Sequence, residues 1–263
     1  MPRTIFGKTL YEKRWTILLW FGAALVCNLG IALLFPPIRD SMSTMIGSVP
    51  KSMAGWFGTG ATWSTFTGYT GQELFGEMTL LLMAAAILFG AAFGAGDENN
   101  RTLLAVLARP VNRLSFYVQK YLALLAFLVF VTVGFSLGIL LGGWFLSESM
   151  PFGKFAECLF IVFLHVLALG SITFALGAAT GRRALAGMIV GSYTFIAYFI
   201  SSLSTAADVV KKLSYATLFR YAKASDVLAK GLNGSHILIL VLAIVVPLLI
   251  AAPIFRRRDL KTR

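Results

Sequence analysis

Few side chains in this sequence could do chemistry, and they are scattered. The histidines are His165 and His236, and the cysteines are Cys27 and Cys158. Neither pair has metal-ligand spacing, and no disulfide framework is implied. No GxxxxGK[ST] phosphate loop occurs, so the chain is not itself an ATPase. HExxH, CxxC and a GxSxG serine with a partner set are also missing, so no catalytic group is visible. His165 and Asn28 fall within apolar runs. A buried, hydrogen-bonded histidine is expected there, because no acid shares its depth, and Asn28 reads as interhelical glue. Glu77 and Glu157 sit at the edges of such runs, within reach of water.

The richest segment is 97–120, DENNRTLLAVLARPVNRLSFYVQK, a charged island between two long apolar runs. Asp97 and Glu98 suit a helix start, where backbone N–H groups lack partners. Leu103, Leu104 and Leu107 share one helical face. Pro110 ends that helix, and Asn112 or Ser115 can begin the next. A short amphipathic helix of this kind either packs on neighbouring spans or fills a groove on a soluble partner.

The elements around the island are dictated by composition. Of 263 residues, 58% are hydrophobic and 13% charged, against about 25% charged in a soluble domain. Mean hydropathy is +0.81. The sequence therefore predicts an all-α polytopic membrane protein with one domain, 1–263. Six runs are long enough to cross, at 17–34, 78–96, 121–146, 155–179, 184–203 and 237–255, since about 20 residues span the hydrocarbon layer. The basic N-terminus and first run imitate a signal peptide. The residues 24–27 faintly imitate a lipoprotein box, but Val26 fits it poorly, and an uncleaved first span is expected. The net charge of +12 lies in loops beside apolar runs rather than on a soluble module, which argues against nucleic acid. Fifteen of the 23 basic residues fall on the side holding the N-terminus, the island, the Arg182-Arg183 turn and the tail. Positive residues favour the cytoplasm, so both termini are expected inside.

Residues 4–16 carry Lys8, Lys13 and Arg14 beside Tyr11 and Trp15, and are expected to lie along the inner interface as a separate amphipathic elbow or to form an ordinary basic flank. In the first outer loop Met42, Met45, Ile46, Val49, Met53, Trp56 and Phe57 follow helical steps, with Pro50 splitting the segment. Glycine pairs at four-residue spacing (90/94, 134/138/142, 177/181 and 187/191) are expected to pack spans within one chain rather than form a dimer seam.

Several stretches together resemble the type-two ABC transporter permeases, in particular the six-span stand-alone permeases similar to bacitracin-exporter and copper-maturation permeases. They are Glu98 with Arg101-Thr102-Leu103, the run Ala108-Arg109-Pro110-Val111-Asn112-Arg113, Lys120, Thr67-Gly68-Tyr69, residues 213–230, and Phe255-Arg256-Arg257-Arg258-Asp259-Leu260. Asn99-Asn100 stands where relatives commonly have a glycine, and Tyr215-Ala216 lacks a proline often found there. The resemblance implies an interfacial elbow (Lys8, Lys13, Arg14, Trp15) and a cytoplasmic coupling helix over 100–109. It also implies short outer helices over 213–230. Glu98, Arg101, Thr102, Leu103, Leu104, Leu107, Arg109 and Arg113 would dock two separate ATP-binding subunits, which would hold ATP and Mg. This chain would bind no cofactor. Two permease chains, identical or related, would pair in the lipid of a bacterial cell membrane. The substrate path of this exporter would face the first, second and fifth spans, with Asn28, His165 and Tyr193 as its lining. Apart from His165 the spans read as free of interior charge, which disfavours an ion-coupled transporter or channel. A non-transporting membrane scaffold is the third reading.

Overall fold

The computed structural model describes residues 4–45, 60–99 and 112–258, and in these the chain is helical with no strand. Helix α1 is Ile5–Leu33, followed by α2, Phe35–Met45, and α3, Gly60–Ser64. The second crossing begins with α4, Phe66–Tyr69, passes through a π-helical stretch, Thr70–Glu77, and continues as α5, Thr79–Asn99. Then come α6, Arg113–Phe145, α7, Phe152–Thr180, and α8, Arg183–Ser202. Two short helices, α9 (Asp208–Ser214) and α10 (Ala224–Lys230), flank a 3-10 turn at Leu218–Ala222, and α11, Gly234–Arg257, closes the fold. Six helices are long and apolar enough to cross a membrane, as the composition requires.

The spans are longer than their apolar runs. The first crossing is Ile5–Leu33 and the second Phe66–Asp97, where the sequence predicted 17–34 and 78–96. Residues 4–16 form no separate elbow. Thr4 caps α1 by accepting from the Gly7 N–H, and the helix then runs unbroken through Lys8, Lys13, Arg14 and Trp15. Nothing in that stretch breaks a helix, since it holds no proline and Gly7 lies in the first turn. The Lys8–Glu12 pair at 3.6 Å adds a small i,i+4 term. Trp15 and Tyr11 are exposed, with the Arg14 guanidinium 4.0 Å from the Tyr11 ring centre.

Without water to drive apolar faces together, close backbone contact decides which spans pair. A Cβ on Gly138 would lie 2.5 Å from the Leu25 carbonyl oxygen of α1, and one on Gly134 2.6 Å from that of Phe21. Gly90 and Gly94 place α5 just as closely on α7, against the Gly170 and Phe174 carbonyls. These pairs pack within the chain, as expected. Gly181 is instead the left-handed cap of α7, at φ 69°. Gly187 and Gly191 depart from the expectation: a Cβ on Gly187 would barely touch Ala91, and around Gly191 nothing lies within 4 Å.

Helix α7 is the centre of the bundle, touching α5, α6, α8 and α11. Helix α1 rests chiefly on α6 at the edge. Tyrosines tie neighbours together across the seams. The Tyr69 hydroxyl donates to the Ile31 carbonyl at 2.7 Å, and that of Tyr117 to Leu248 at 3.0 Å.

On the side of the chain termini, Arg113 donates to the carbonyls of Arg256 at 3.3 Å and Arg258 at 3.0 Å. It thereby satisfies orphan acceptors at the end of α11, where a cation is also favoured by the helix dipole. Replacing Arg113 by Ala is expected to cost about 1–2 kcal/mol, typical of a charge-assisted bond with partial exposure. The tail after Arg257 should then be cut faster in limited proteolysis; an unchanged rate would remove Arg113 from this role.

Candidate functional site: a polar cavity and the flanks of the charged island

Residues 100–111 of the island lie outside the described residues. The predicted docking residues Arg101, Thr102, Leu103, Leu104, Leu107 and Arg109 fall there. Glu98 lies in the last turn of α5. What the structure describes is how the island is held. Asp97 and Lys120, at its two ends, form an ion pair of 2.6 Å. Lys120 is buried, and its ammonium also lies 5.6 Å from the centre of the Phe116 ring. Asn112 caps α6 by accepting from the Leu114 N–H at 3.0 Å. With Arg113 bound to the end of α11, the far flank of the island is fixed to two spans.

At the other end of the bundle, a cavity of about 460 Å³ lies between the second, fourth and fifth spans and the short helices. Its polar lining includes Glu77, His165, Tyr198 and Lys223, and its apolar lining includes Phe75 and Phe219. The π-helical stretch is what brings Glu77 in. Its wide turns close by bonds such as Met78 N–H to the Glu73 carbonyl at 2.8 Å, a geometry that recurs at functional sites. Gly71 lets Leu228 of α10 press directly on these turns.

The Tyr198 hydroxyl donates to the Glu77 carboxylate. Lys223 donates to the Ser201 carbonyl at 3.4 Å and to the Ser204 hydroxyl at 3.3 Å. Burial holds the Lys223 ammonium below its ordinary pKa range; Asp226 opposes this and Arg220 adds to it. His165 is only 2% exposed, its ring edge-on to Phe219 at 4.6 Å. Among the described residues its Nε2 has no hydrogen-bond partner.

Three expectations are corrected by this cavity. Glu77 is not at the edge of a span but within the second crossing, which begins at Phe66, and it is half-buried there. His165 does share its surroundings with an acid, since both line one cavity. It is buried as expected, but its Nε2 is not hydrogen-bonded. Sequence reasoning missed this grouping because the four polar residues come from four separate segments. One signal was present in the sequence: Thr65 before Phe66 is a helix N-cap, and reading the helix from there includes Glu73 and Glu77.

The three predicted pathway residues do not converge. Asn28 is fully buried against Gly138 in the α1–α6 seam, its amide donating to the Ala24 carbonyl at 2.8 Å. It packs in the seam, but that bond stays within α1 and among the described residues its Oδ1 has no partner, so the interhelical bond expected of it is not seen. The Tyr193 hydroxyl accepts from the Leu218 N–H at 3.0 Å, fastening the 3-10 turn to α8. His165 alone lines the cavity.

Comparison with the curated proteins gives no match. The family model described as ABC-2 family transporter protein matches residues 40–260, which takes in the cavity, both flanks of the island and all spans but the first. Matched over this length and built on six crossing helices, the chain belongs to the ABC-2 transporter family and is a multi-pass membrane protein with a permease role.

Proposed function

We propose that this chain is the membrane subunit of an ATP-driven exporter, coupled through residues 100–109 to separate ATP-binding subunits. The observation that carries the reading is the family match over 40–260, joined to a pinned island. A docking element transmits force only if its base is rigid. Here the Asp97–Lys120 pair joins the second span to the third, and Arg113 joins the third to the sixth. ATP and Mg belong to the partner subunit in this reading. Docking of the island would shift the spans as rigid bodies.

A second permease chain completes the pathway, against the faces of the first and fifth spans. Among the described residues Gly22 and Gly30 of α1, like Gly191 of α8, meet nothing within 4 Å. The bias of basic residues puts the island and both termini on the cytoplasmic side of a bacterial cell membrane.

Co-purification of the chain with its ATP-binding subunit tests the reading. Leu104→Asp or Arg109→Glu is expected to abolish recovery of the complex while leaving the elution profile of the permease unchanged. Full recovery of the complex with both variants would overturn it.

A further inference from the structure

The cavity is built to hold something charged. Glu77 accepts from the Tyr198 hydroxyl, and Glu73 lies one turn earlier, close enough to repel it. Among the described residues no basic side chain forms an ion pair with either carboxylate. Lys223 lines the same cavity but is turned to Ser201 and Ser204. Glu77 is the carboxylate of this pair that lines the cavity, and with Glu73 beside it an added cation is favoured there.

A second observation points the same way. Among the described residues His165 Nε2 is buried and has no hydrogen-bond partner, and such a group costs free energy until something bonds to it. With its proton on Nδ1, an imidazole offers Nε2 as an acceptor. Phe219 supplies a π-face beside it, with the Tyr198 ring 6.0 Å from Phe219, and aromatic faces attract ammonium groups. Among the described residues no three His, Cys, Asp or Glu side chains converge as metal ligands would. The volume, about 460 Å³, falls within the range of small-molecule sites.

We propose that this cavity binds a small organic ammonium ion. Its N–H groups donate to Glu77 and to His165 Nε2, and its hydrocarbon part rests on Phe75 and Phe219. The site lies inside one chain, so occupancy needs neither an ATP-binding subunit nor a second permease. It deepens the transport reading by naming a cargo class, and rests on that reading only for the export of the bound ion, not for its binding.

The test is calorimetric titration of the purified full chain with 2-phenylethylammonium, with 3-phenylpropionate as the anionic counterpart. Saturable one-site binding of the cation alone is expected, weakened tenfold or more in Glu77→Gln and severalfold in His165→Gln. Should Glu77→Gln fail to fold, a second measurement keeps Glu77 in place. In a Cys27→Ser chain carrying Ser202→Cys, the cation should slow alkylation of the new thiol and the anion should not. No saturable binding, equal binding by wild type and Glu77→Gln, or equal protection by both ions would overturn the proposal. Absence of binding with the ATP-binding subunit still co-purifying would sink this inference alone, and loss of docking with binding retained would sink only the other.

Discussion

Lys120→Met is expected to destabilise the fold by about 3 kcal/mol, the low end for breaking a buried ion pair. The low end applies because Asp97 keeps 25% of its side-chain surface exposed, while Lys120 keeps 10%. The loss comes from taking the ammonium partner away from the Asp97 carboxylate beside apolar spans. The double replacement Asp97→Leu with Lys120→Met removes both charges and should recover most of the stability. Reversible unfolding of the four proteins in a double-mutant cycle measures this. A cost for Lys120→Met within about 0.5 kcal/mol, as for an exposed pair, would show that the base of the island is not held by this contact.

Gly94→Leu is expected to have the larger structural effect. The added Cβ would overlap the Phe174 carbonyl oxygen of α7. Backbone faces backbone there, so no side chain can turn aside. Overpacking commonly costs about 1–3 kcal/mol, and a rigid seam at the centre of the bundle belongs at or above the upper end. The variant should elute as aggregate in detergent, whereas Gly153→Leu, with nothing within 4 Å of it among the described residues, should elute as the wild type. If both elute alike, the α5–α7 seam is not the close contact described.

Much of the fold was legible because lipid makes simple demands. Apolar runs located all six crossings, and two of the four glycine clusters predicted contacts inside the chain. The ends of the spans were less legible. Residues 4–16 are amphipathic, and an interfacial helix and the extension of a span share that composition. Only the unbroken backbone through Lys13 and Arg14 separates them. The start of the second span was hidden by Gln72, Glu73 and Glu77, which look like loop residues until the cavity that receives Glu77 is seen. That grouping also weakens the argument from an uncharged membrane interior, since a carboxylate, a histidine and a lysine meet in one place. The short outer helices expected over 213–230 are present as the 3-10 turn and α10, while the end of α9 also falls in that range. The outer segment bearing Ile46, Val49, Pro50, Met53, Trp56 and Phe57 lies outside the described residues.

The wide turns of Thr70–Glu77 contain a surplus: each of their hydrogen-bonded rings encloses one residue more than a regular helical ring. Were that extra residue handed along toward Thr79, every position it passed would swivel by about 100° and advance about 1.5 Å. Glu77 would rotate away from Tyr198 and its chamber while the number of main-chain bonds stayed the same. One backbone could then present its acid to a visitor or retract it, at the cost of the Tyr198–Glu77 bond.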